Sequence, residues 1–200
     1  MNIAIIGATG NVGSRLVNEA LGRGHHVTAI ARHASRLAAR PGLDTLDIDL
    51  ADGATVAGAC AARTPPSAAS ASPRRPLPPS SAPSGRRPAA AAGGGRRGQL
   101  EVAPGAAGGH AHVPGRVQAR GAGGRDWLNA LRTEKDLDWT FLSPSAVRAG
   151  RAHGHVPPGR EYAADRGGRP GWISMEDFAI AMLDEVEKPA HTGRRFTVGY

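Results

Sequence analysis

The sequence predicts an α/β fold, a doubly wound parallel sheet that is irregular or incomplete in its middle. Three observations carry this. An apolar run over residues 2–6 leads straight into Gly7-Ala8-Thr9-Gly10-Asn11-Val12-Gly13, and apolar residues at helical spacing follow that turn. Strand and helix patterns alternate at both ends of the chain, which implies parallel strands joined by helical crossovers. Between the two ends the composition shifts to Pro, Ala, Arg, Ser and Gly.

Ile3-Ala4-Ile5-Ile6 reads as a first strand covered on both faces, because it is continuously apolar rather than alternating. Val12, Leu16, Val17, Ala20 and Leu21 then mark one face of a helix, and Gly24 stands where a left-handed residue ends it. His25–Ala31 gives a second strand, and Leu43–Leu50 a third with Leu46, Ile48 and Leu50 at alternate positions. Near the other end, Trp127, Leu128 and Leu131 belong to a helical stretch before a short strand, Trp139-Thr140-Phe141-Leu142, which Pro144 terminates. Ser174-Met175-Glu176-Asp177 has the spacing of a capping box. It opens a helix with Met175, Phe178, Ala179, Met182, Leu183 and Val186 on one face and Lys188 and Pro189 at its end. Phe196–Val198 forms a last strand. The arrangement is Rossmann-like, and the length suits one domain over 1–200.

From Ala57 to Gln99 the only large apolar residue is Leu77, and eight of the 16 prolines fall between Pro65 and Pro88. No strand is expected there, although the sheet needs its fourth. Residues 58–125 have the composition of a disordered segment, with too little apolar surface to offset chain entropy. Arg outnumbers Lys 23 to 2, a bias of GC-rich coding DNA, and such DNA read out of frame yields Ala, Arg, Gly and Pro. Windows near 58–98, 106–125 and 147–171 are therefore read as frameshifted.

The formal charge of +8 is concentrated between Gly53 and Arg125, which hold ten Arg and one acid, Glu101. Those arginines lack the aromatic platforms of single-strand binders, so no nucleic-acid partner is expected. No apolar run is long enough to span a bilayer and the start has no basic n-region, so we expect a cytoplasmic chain without a membrane partner. The single Cys60 sits among Ala and Gly, away from groups that would activate its thiol. His110 with His112 and His153 with His155 lack nearby acidic or thiolate partners, so no metal is expected. Tyr162-x-x-x-Arg166 resembles a proton-transfer pair with its lysine replaced, but it lies in a Gly/Arg-rich stretch and is read as chance.

The glycine loop carries the chemistry. Gly7 permits the turn out of the strand, Gly10 lets the backbone approach a pyrophosphate, and Gly13 lets the helix pack close to the sheet. The helix N-terminus offers unpaired N–H groups and a positive dipole end, so Ala8, Thr9, Asn11 and Val12 can bind an anion through their backbone. No Gly-Lys-Ser/Thr follows, which argues against a nucleoside triphosphate and for a dinucleotide. After the second strand Arg32 stands where an arginine accommodates a ribose 2′-phosphate, with Arg36 a second candidate. This favours NADP(H), with NAD(H) the alternative. Asp49-Leu50, at the end of the third strand, is placed to frame an adenine ring.

At these residues the chain resembles the atypical short-chain dehydrogenases of the NAD(P)H-binding, NmrA-like group, of the NADH-flavin reductase type. The resemblance runs through Met1 to Ala57, Leu100–Gly105, Asp126–Ala146 with Leu142-Ser143-Pro144-Ser145, and Trp172–Tyr200. It implies a nicotinamide cofactor on Gly7, Gly10 and Gly13 and a pocket near the Ser143-Pro144 loop, and it supplies no catalytic tyrosine. The expected activity is NAD(P)H-dependent reduction of a small hydride acceptor, a flavin or quinone. The alternatives are an NADP(H) sensor without turnover and an epimerase or dehydratase. Catalytic residues and oligomeric state stay open.

Overall fold

The structure, a computed structural model, describes residues 1–49, 67–70, 88–92, 128–129, 131–133, 138–144, 146–153, 158–159, 165–166, 169–170 and 172–200. Leu50, Cys60, Trp127, Tyr162, the Leu100–Gly105 island and the His110, His112 and His155 positions lie outside them, as does most of 58–125.

The first strand, β1 (Asn2–Ile6), is buried on both faces as its unbroken apolar run requires. Helix α1 (Asn11–Gly22) follows the glycine loop and buries Gly13, Leu16, Val17 and Ala20. It ends in a Schellman motif. Gly24 takes a left-handed φ of +78°, its N–H reaches the Leu21 carbonyl at 3.0 Å, and the His25 N–H reaches Ala20 at 3.0 Å. Strand β2 (His26–Ala31) runs parallel beside β1, and β3 (Leu43–Asp47) runs parallel beside β2 at the sheet edge. β3 stops three residues before the expected Leu50, although the Ile48 N–H still donates to the Ala31 carbonyl at 3.0 Å.

On the other side of β1 the sheet continues where no strand was expected. β4 (Ser67–Ser70) pairs with β1, and β5 (Pro88–Ala92) bridges β4 to β6 (Asp138–Leu142), all parallel. Within the middle of the chain the described residues thus supply two short strands where none was expected. Apolar periodicity did not mark them because their sequences, SAAS and PAAAA, are nearly featureless. Backbone ladders to β1 and β6 define them, and Pro88 sits at the first position of its strand, where a missing N–H is tolerated.

β6 is flanked by β12 (Arg194–Val198), again parallel, and β8 (Pro158–Gly159) pairs antiparallel with β12 at the far edge. The order is β3-β2-β1-β4-β5-β6-β12-β8. Two further pairs stand apart, an antiparallel β9 (Asp165–Arg166) with β10 (Arg169–Pro170), and a parallel β7 (Ala146–Arg148) with β11 (Trp172–Ser174).

Helix α2 (Met175–Glu187) starts where the capping box placed it, with the Asp177 N–H donating to Ser174 Oγ at 2.9 Å. It lies beside α1 and runs in the same direction. Arg15 near the start of α1 bonds Glu176 at 3.2 Å, while Arg23 just past its end reaches Asp184 at 2.7 Å and Glu187 at 2.9 Å. Both helices cover one face of the sheet, enclosing Ile3 and Ile5 of β1, Val27 and Ala29 of β2, and Phe178, Met182 and Leu183 of α2. The alternate β1 residues, Ala4 and Ile6, join Ile30 on the opposite face. There the helical residues Leu128 and Leu131 pack on Trp139 and Phe141.

The buried Glu185 ties the end of α2 to the sheet. It accepts from the His191 N–H at 2.7 Å, from His191 Nδ1 at 2.8 Å, from the Ala190 N–H at 3.0 Å and from Thr140 Oγ1 at 3.3 Å. His191 in turn stacks on Phe196 with ring centroids 4.2 Å apart.

Phe178 is fully buried between α2 and the sheet. Phe178→Ala should lower unfolding free energy by ~3–5 kcal/mol, measured by urea denaturation with an unchanged slope.

Candidate functional site: the glycine loop at the carboxyl edge of the sheet

The connection from β3 to β4 crosses to the other side of β1, so the strand order reverses between β1 and β4. Ligands of open parallel sheets bind in the crevice outside the carboxyl ends of strands at such a point. The glycine loop leaves β1 there.

Gly7 has a φ of +78°, a conformation that a side chain would strain. Its N–H and that of Ala8 both point back to the Ile30 carbonyl, at 2.8 and 3.4 Å, which fastens the loop to the end of β2. The Gly10 N–H closes the turn onto the Gly7 carbonyl at 2.9 Å. A Cβ on Gly10 would stand 3.1 Å from that carbonyl oxygen, and one on Gly13 would stand 2.1 Å from it. Gly13 thus lets the first turn of α1 press directly against the loop.

The helix end built in this way suits an anion. Gly10 caps it with no side-chain hydrogen bond, and its first turn holds no acidic residue. The N–H groups of Asn11, Val12 and Gly13 are those that an α-helix leaves without intrahelical acceptors. Their positive end faces the crevice, the geometry that a pyrophosphate requires. The residues therefore fit a dinucleotide, whose phosphates the loop from Gly7 through Gly13, with Ala8, Thr9, Asn11 and Val12, would hold.

The remaining candidates lie on the neighbouring strand ends. Arg32 is exposed in the turn that follows β2, two residues beyond the Ile30 carbonyl that anchors the loop. Arg36 is exposed at the end of the short 3₁₀ turn Ala34–Arg36. Asp49 is exposed just after β3, and its intended companion Leu50 is outside the described residues.

Sequence reasoning missed Asp47. Its carboxylate accepts from the Ser35 N–H at 2.8 Å and from Ser35 Oγ at 2.6 Å, and these bonds hold the carboxyl below its usual range. Asp47 thereby fixes the turn carrying Arg32 and Arg36. On β3 it looked like any strand-end acid, and only the sheet register brings it to Ser35.

Further along the same edge Ser143 follows β6. Its hydroxyl is buried with no hydrogen-bond partner among the described residues, while its N–H donates to the Phe196 carbonyl at 2.9 Å. A polar group left in this way at the carboxyl end of a central strand is consistent with the pocket expected near Ser143-Pro144.

A second unforeseen cluster surrounds Asp177, which is completely buried. It accepts from the His153 N–H at 2.9 Å, from His153 Nδ1 at 3.0 Å, from Ser174 Oγ at 2.8 Å and from the Tyr200 hydroxyl. Burial opposes its charge, but the bonds from Tyr200, His153 and Ser174 outweigh burial and hold the carboxyl well below its ordinary range. Burial and the same carboxylate push the Tyr200 hydroxyl up. The capping box announced Asp177, but nothing local announced its distant partners. Among the described residues no group of three or more His, Cys, Asp or Glu is arranged to hold a metal, and no helix is long and apolar enough to cross a membrane.

Residues 7–64, which include the loop, Arg32 and Asp49, match the family described as NAD(P)H-binding. The chain carries an NAD(P)H-binding domain. This NAD(P)H-binding chain is similar over its whole length to a candidate epimerase from Bacteroides thetaiotaomicron, with 32% identity, a TM-score of 0.85, and coverage of 100% of this chain and 96% of that one. It is also similar to a candidate NADH-flavin reductase from Streptococcus pneumoniae, with 26% identity, a TM-score of 0.81, and coverage of 100% and 99%. Among curated proteins it matches YwnB of Bacillus subtilis, itself uncharacterized, at 29% identity over 212 residues, covering 99% of this chain and 98% of that protein.

Gly13→Ala should weaken NAD(P)H binding at least about tenfold and lower the melting temperature, because the new methyl meets the Gly7 carbonyl; such overpacking costs ~1–3 kcal/mol. Gly22→Ala is the control: its Cβ would meet nothing within 4 Å, and binding should be unchanged.

Proposed function

We propose that this chain is an NAD(P)H-dependent oxidoreductase, of the atypical short-chain dehydrogenase type, that passes hydride to a flavin or quinone-like acceptor. The observation that carries the reading is the helix end at Gly10–Gly13, uncapped, free of acids and compressed against the β1 turn, in a chain with an NAD(P)H-binding domain. The candidate NADH-flavin reductase of Streptococcus pneumoniae supports the acceptor class.

In this reading the loop amides hold the pyrophosphate, Arg32 receives the 2′-phosphate of NADP(H), and Asp49 with Leu50 borders the adenine. The nicotinamide would lie toward Ser143, whose buried hydroxyl stands at the same carboxyl edge. The bound dinucleotide supplies the hydride, and the protein supplies position and exclusion of water.

The candidate epimerase of Bacteroides thetaiotaomicron supports a second reading, an epimerase-like protein that returns its cofactor unchanged. Purified chain mixed with NADPH and the quinone menadione separates the two. A reductase oxidises NADPH in proportion to quinone, whereas an epimerase or a sensor binds it without net oxidation. The frameshift reading of 58–98, 106–125 and 147–171 belongs to the same proposal, and resequencing the gene across those windows tests it.

Arg32→Ala should raise the Kd for NADPH about 10- to 100-fold and leave that for NADH within about twofold, measured by fluorescence titration, since a hydrogen bond to a charged group contributes ~1.5–3 kcal/mol. Equal loss for both cofactors would remove Arg32 from the 2′-phosphate.

A further inference from the structure

We infer that Asp47 is the positioning residue that sets a preference for NADPH over NADH, by holding the Ala34–Arg36 turn through Ser35 so that Arg32 and Arg36 stand ready for the ribose 2′-phosphate. This rests on the reading above in which Arg32 receives that phosphate, and it adds the group that holds the arginines in place.

A continuous set of backbone contacts joins Asp47 to the glycine loop. The Ile30 carbonyl at the end of β2 accepts from the Gly7 and Ala8 N–H groups, at 2.8 and 3.4 Å. Ala31, the next residue, stands opposite Asp47 in the β2–β3 register, and its carbonyl accepts from the Ile48 N–H at 3.0 Å. Arg32 follows directly. Leu46 and Ile48 pack with Ile30 on one face of the sheet, so Asp47 between them belongs to the other, the face on which α1 lies. The acid, the loop and the turn after β2 therefore share one corner of the carboxyl edge.

The turn has little of its own to hold it. It is a single 3₁₀ turn, with the Arg36 N–H on the His33 carbonyl at 3.3 Å and the Leu37 N–H on the Ala34 carbonyl at 2.9 Å. Its cap residue, His33, makes no side-chain hydrogen bond to it. So short a piece with so few internal bonds does not hold one conformation unaided. Asp47 supplies the missing constraint. One carboxylate oxygen accepts from the Ser35 N–H at 2.8 Å and the other from Ser35 Oγ at 2.6 Å, while the Ala34 N–H donates to the same carboxylate. Two oxygens clasping one residue fix both the place and the rotation of the turn.

What Asp47 leaves alone matters equally. It bonds backbone and hydroxyl, and neither the Arg32 nor the Arg36 guanidinium, both exposed, has a hydrogen-bond or ion-pair partner among the described residues. Other arginines nearby in the chain are committed. Arg15 pairs with Glu176, Arg23 with Glu19, Asp184 and Glu187, and Arg40 bonds Asn18 at 2.8 Å. The turn after β2 thus carries two available cations on a fixed backbone.

NADPH differs from NADH only by its 2′-phosphate, so groups that serve that phosphate alone change the affinity for one cofactor and not the other. Long side chains lose rotamer freedom when they bind, and a backbone already fixed leaves less to be ordered. A loose turn would add its own ordering to that loss, for NADPH only.

The geometry opposes a simpler expectation. Asp47 carries a negative charge close to the arginines, so on charge alone its removal should tighten NADPH binding. Positioning predicts the opposite sign, and the sign decides.

The test titrates the full chain with NADPH and with NADH by fluorescence, comparing wild type, Asp47→Ala, Asp47→Asn, Ser35→Ala and Arg32→Ala. Asp47→Ala should raise the NADPH Kd about 3- to 10-fold and leave the NADH Kd within about twofold, with Ser35→Ala moving the same way by a smaller factor. Asp47→Asn should recover a Kd within about twofold of wild type, because its amide oxygen accepts from the Ser35 N–H and its NH₂ donates to the hydroxyl. Tighter NADPH binding in both Asp47 variants overturns the inference in favour of charge. Equal loss for the two cofactors overturns it in favour of a general structural role. Asp47 variants that keep the wild-type preference while Arg32→Ala abolishes it overturn this inference and leave the Arg32 reading intact. An Arg32→Ala variant that binds both cofactors as wild type does overturns that reading and this inference together.

Discussion

The structure depends on one close approach, that of Gly13 to the carbonyl of Gly7. Because the helix has no side chain there, α1 leaves the loop with its first turn resting on the end of β1. Any larger residue would push the helix outward, since its Cβ would stand 2.1 Å from the Gly7 oxygen. The position of α1 then determines that of α2. Arg15 at one end and Arg23 at the other each reach carboxylates of α2, and Leu16, Val17 and Ala20 fill the space shared with Phe178, Met182 and Leu183. A shift of α1 would therefore displace the head of α2 and, with it, Asp177 and the groups gathered on it.

Acids anchor this architecture in two different electrostatic settings. Asp47 is exposed, so its bonds to Ser35 contribute geometry more than energy: they hold the turn that presents Arg32 and Arg36. Asp177 is buried, and an unpaired charge there would be costly, so its donors are a condition of folding rather than an ornament. Those donors come from residues 153, 174 and 200, and Asp177 thus joins the segment after β7, the head of α2 and the chain end.

The parts of this fold that were legible in the sequence are those specified locally. β1, the glycine loop, α1 with its Gly24 end, and α2 with its Ser174 cap each carry their signal within about a dozen residues. β4 and β5 were not legible, because SAAS and PAAAA have no amphipathic pattern and become strands through β1 and β6. The candidate site divides in the same way. The turn of the glycine loop was legible because a fixed glycine spacing sets its backbone, and Arg32 was a candidate only by its place after β2. Asp47 and the His153–Asp177–Tyr200 group are products of tertiary pairing. Asp177 stands 24 residues from His153 and 23 from Tyr200, and no local pattern spans such distances.

Two parallel helices present their positive ends at the same edge of the sheet, and the chain treats them differently. At α2 the sequence supplies its own anions: Glu176 and Asp177 occupy the first turn, one bonded to Arg15 and the other enclosed by hydrogen-bond donors. That end is electrostatically satisfied from within. At α1 the cap is Gly10, no acid lies in the first turn, and no side chain closes the end. Each helix end favours nearby negative charge by ~0.3–1 kcal/mol when exposed and by more when partly buried. The asymmetry therefore directs an external anion to α1 and away from α2. Arg15, bonded to Glu176, adds no net charge to the α1 end, so what an anion would meet there is a set of backbone N–H groups whose geometry Gly7, Gly10 and Gly13 determine.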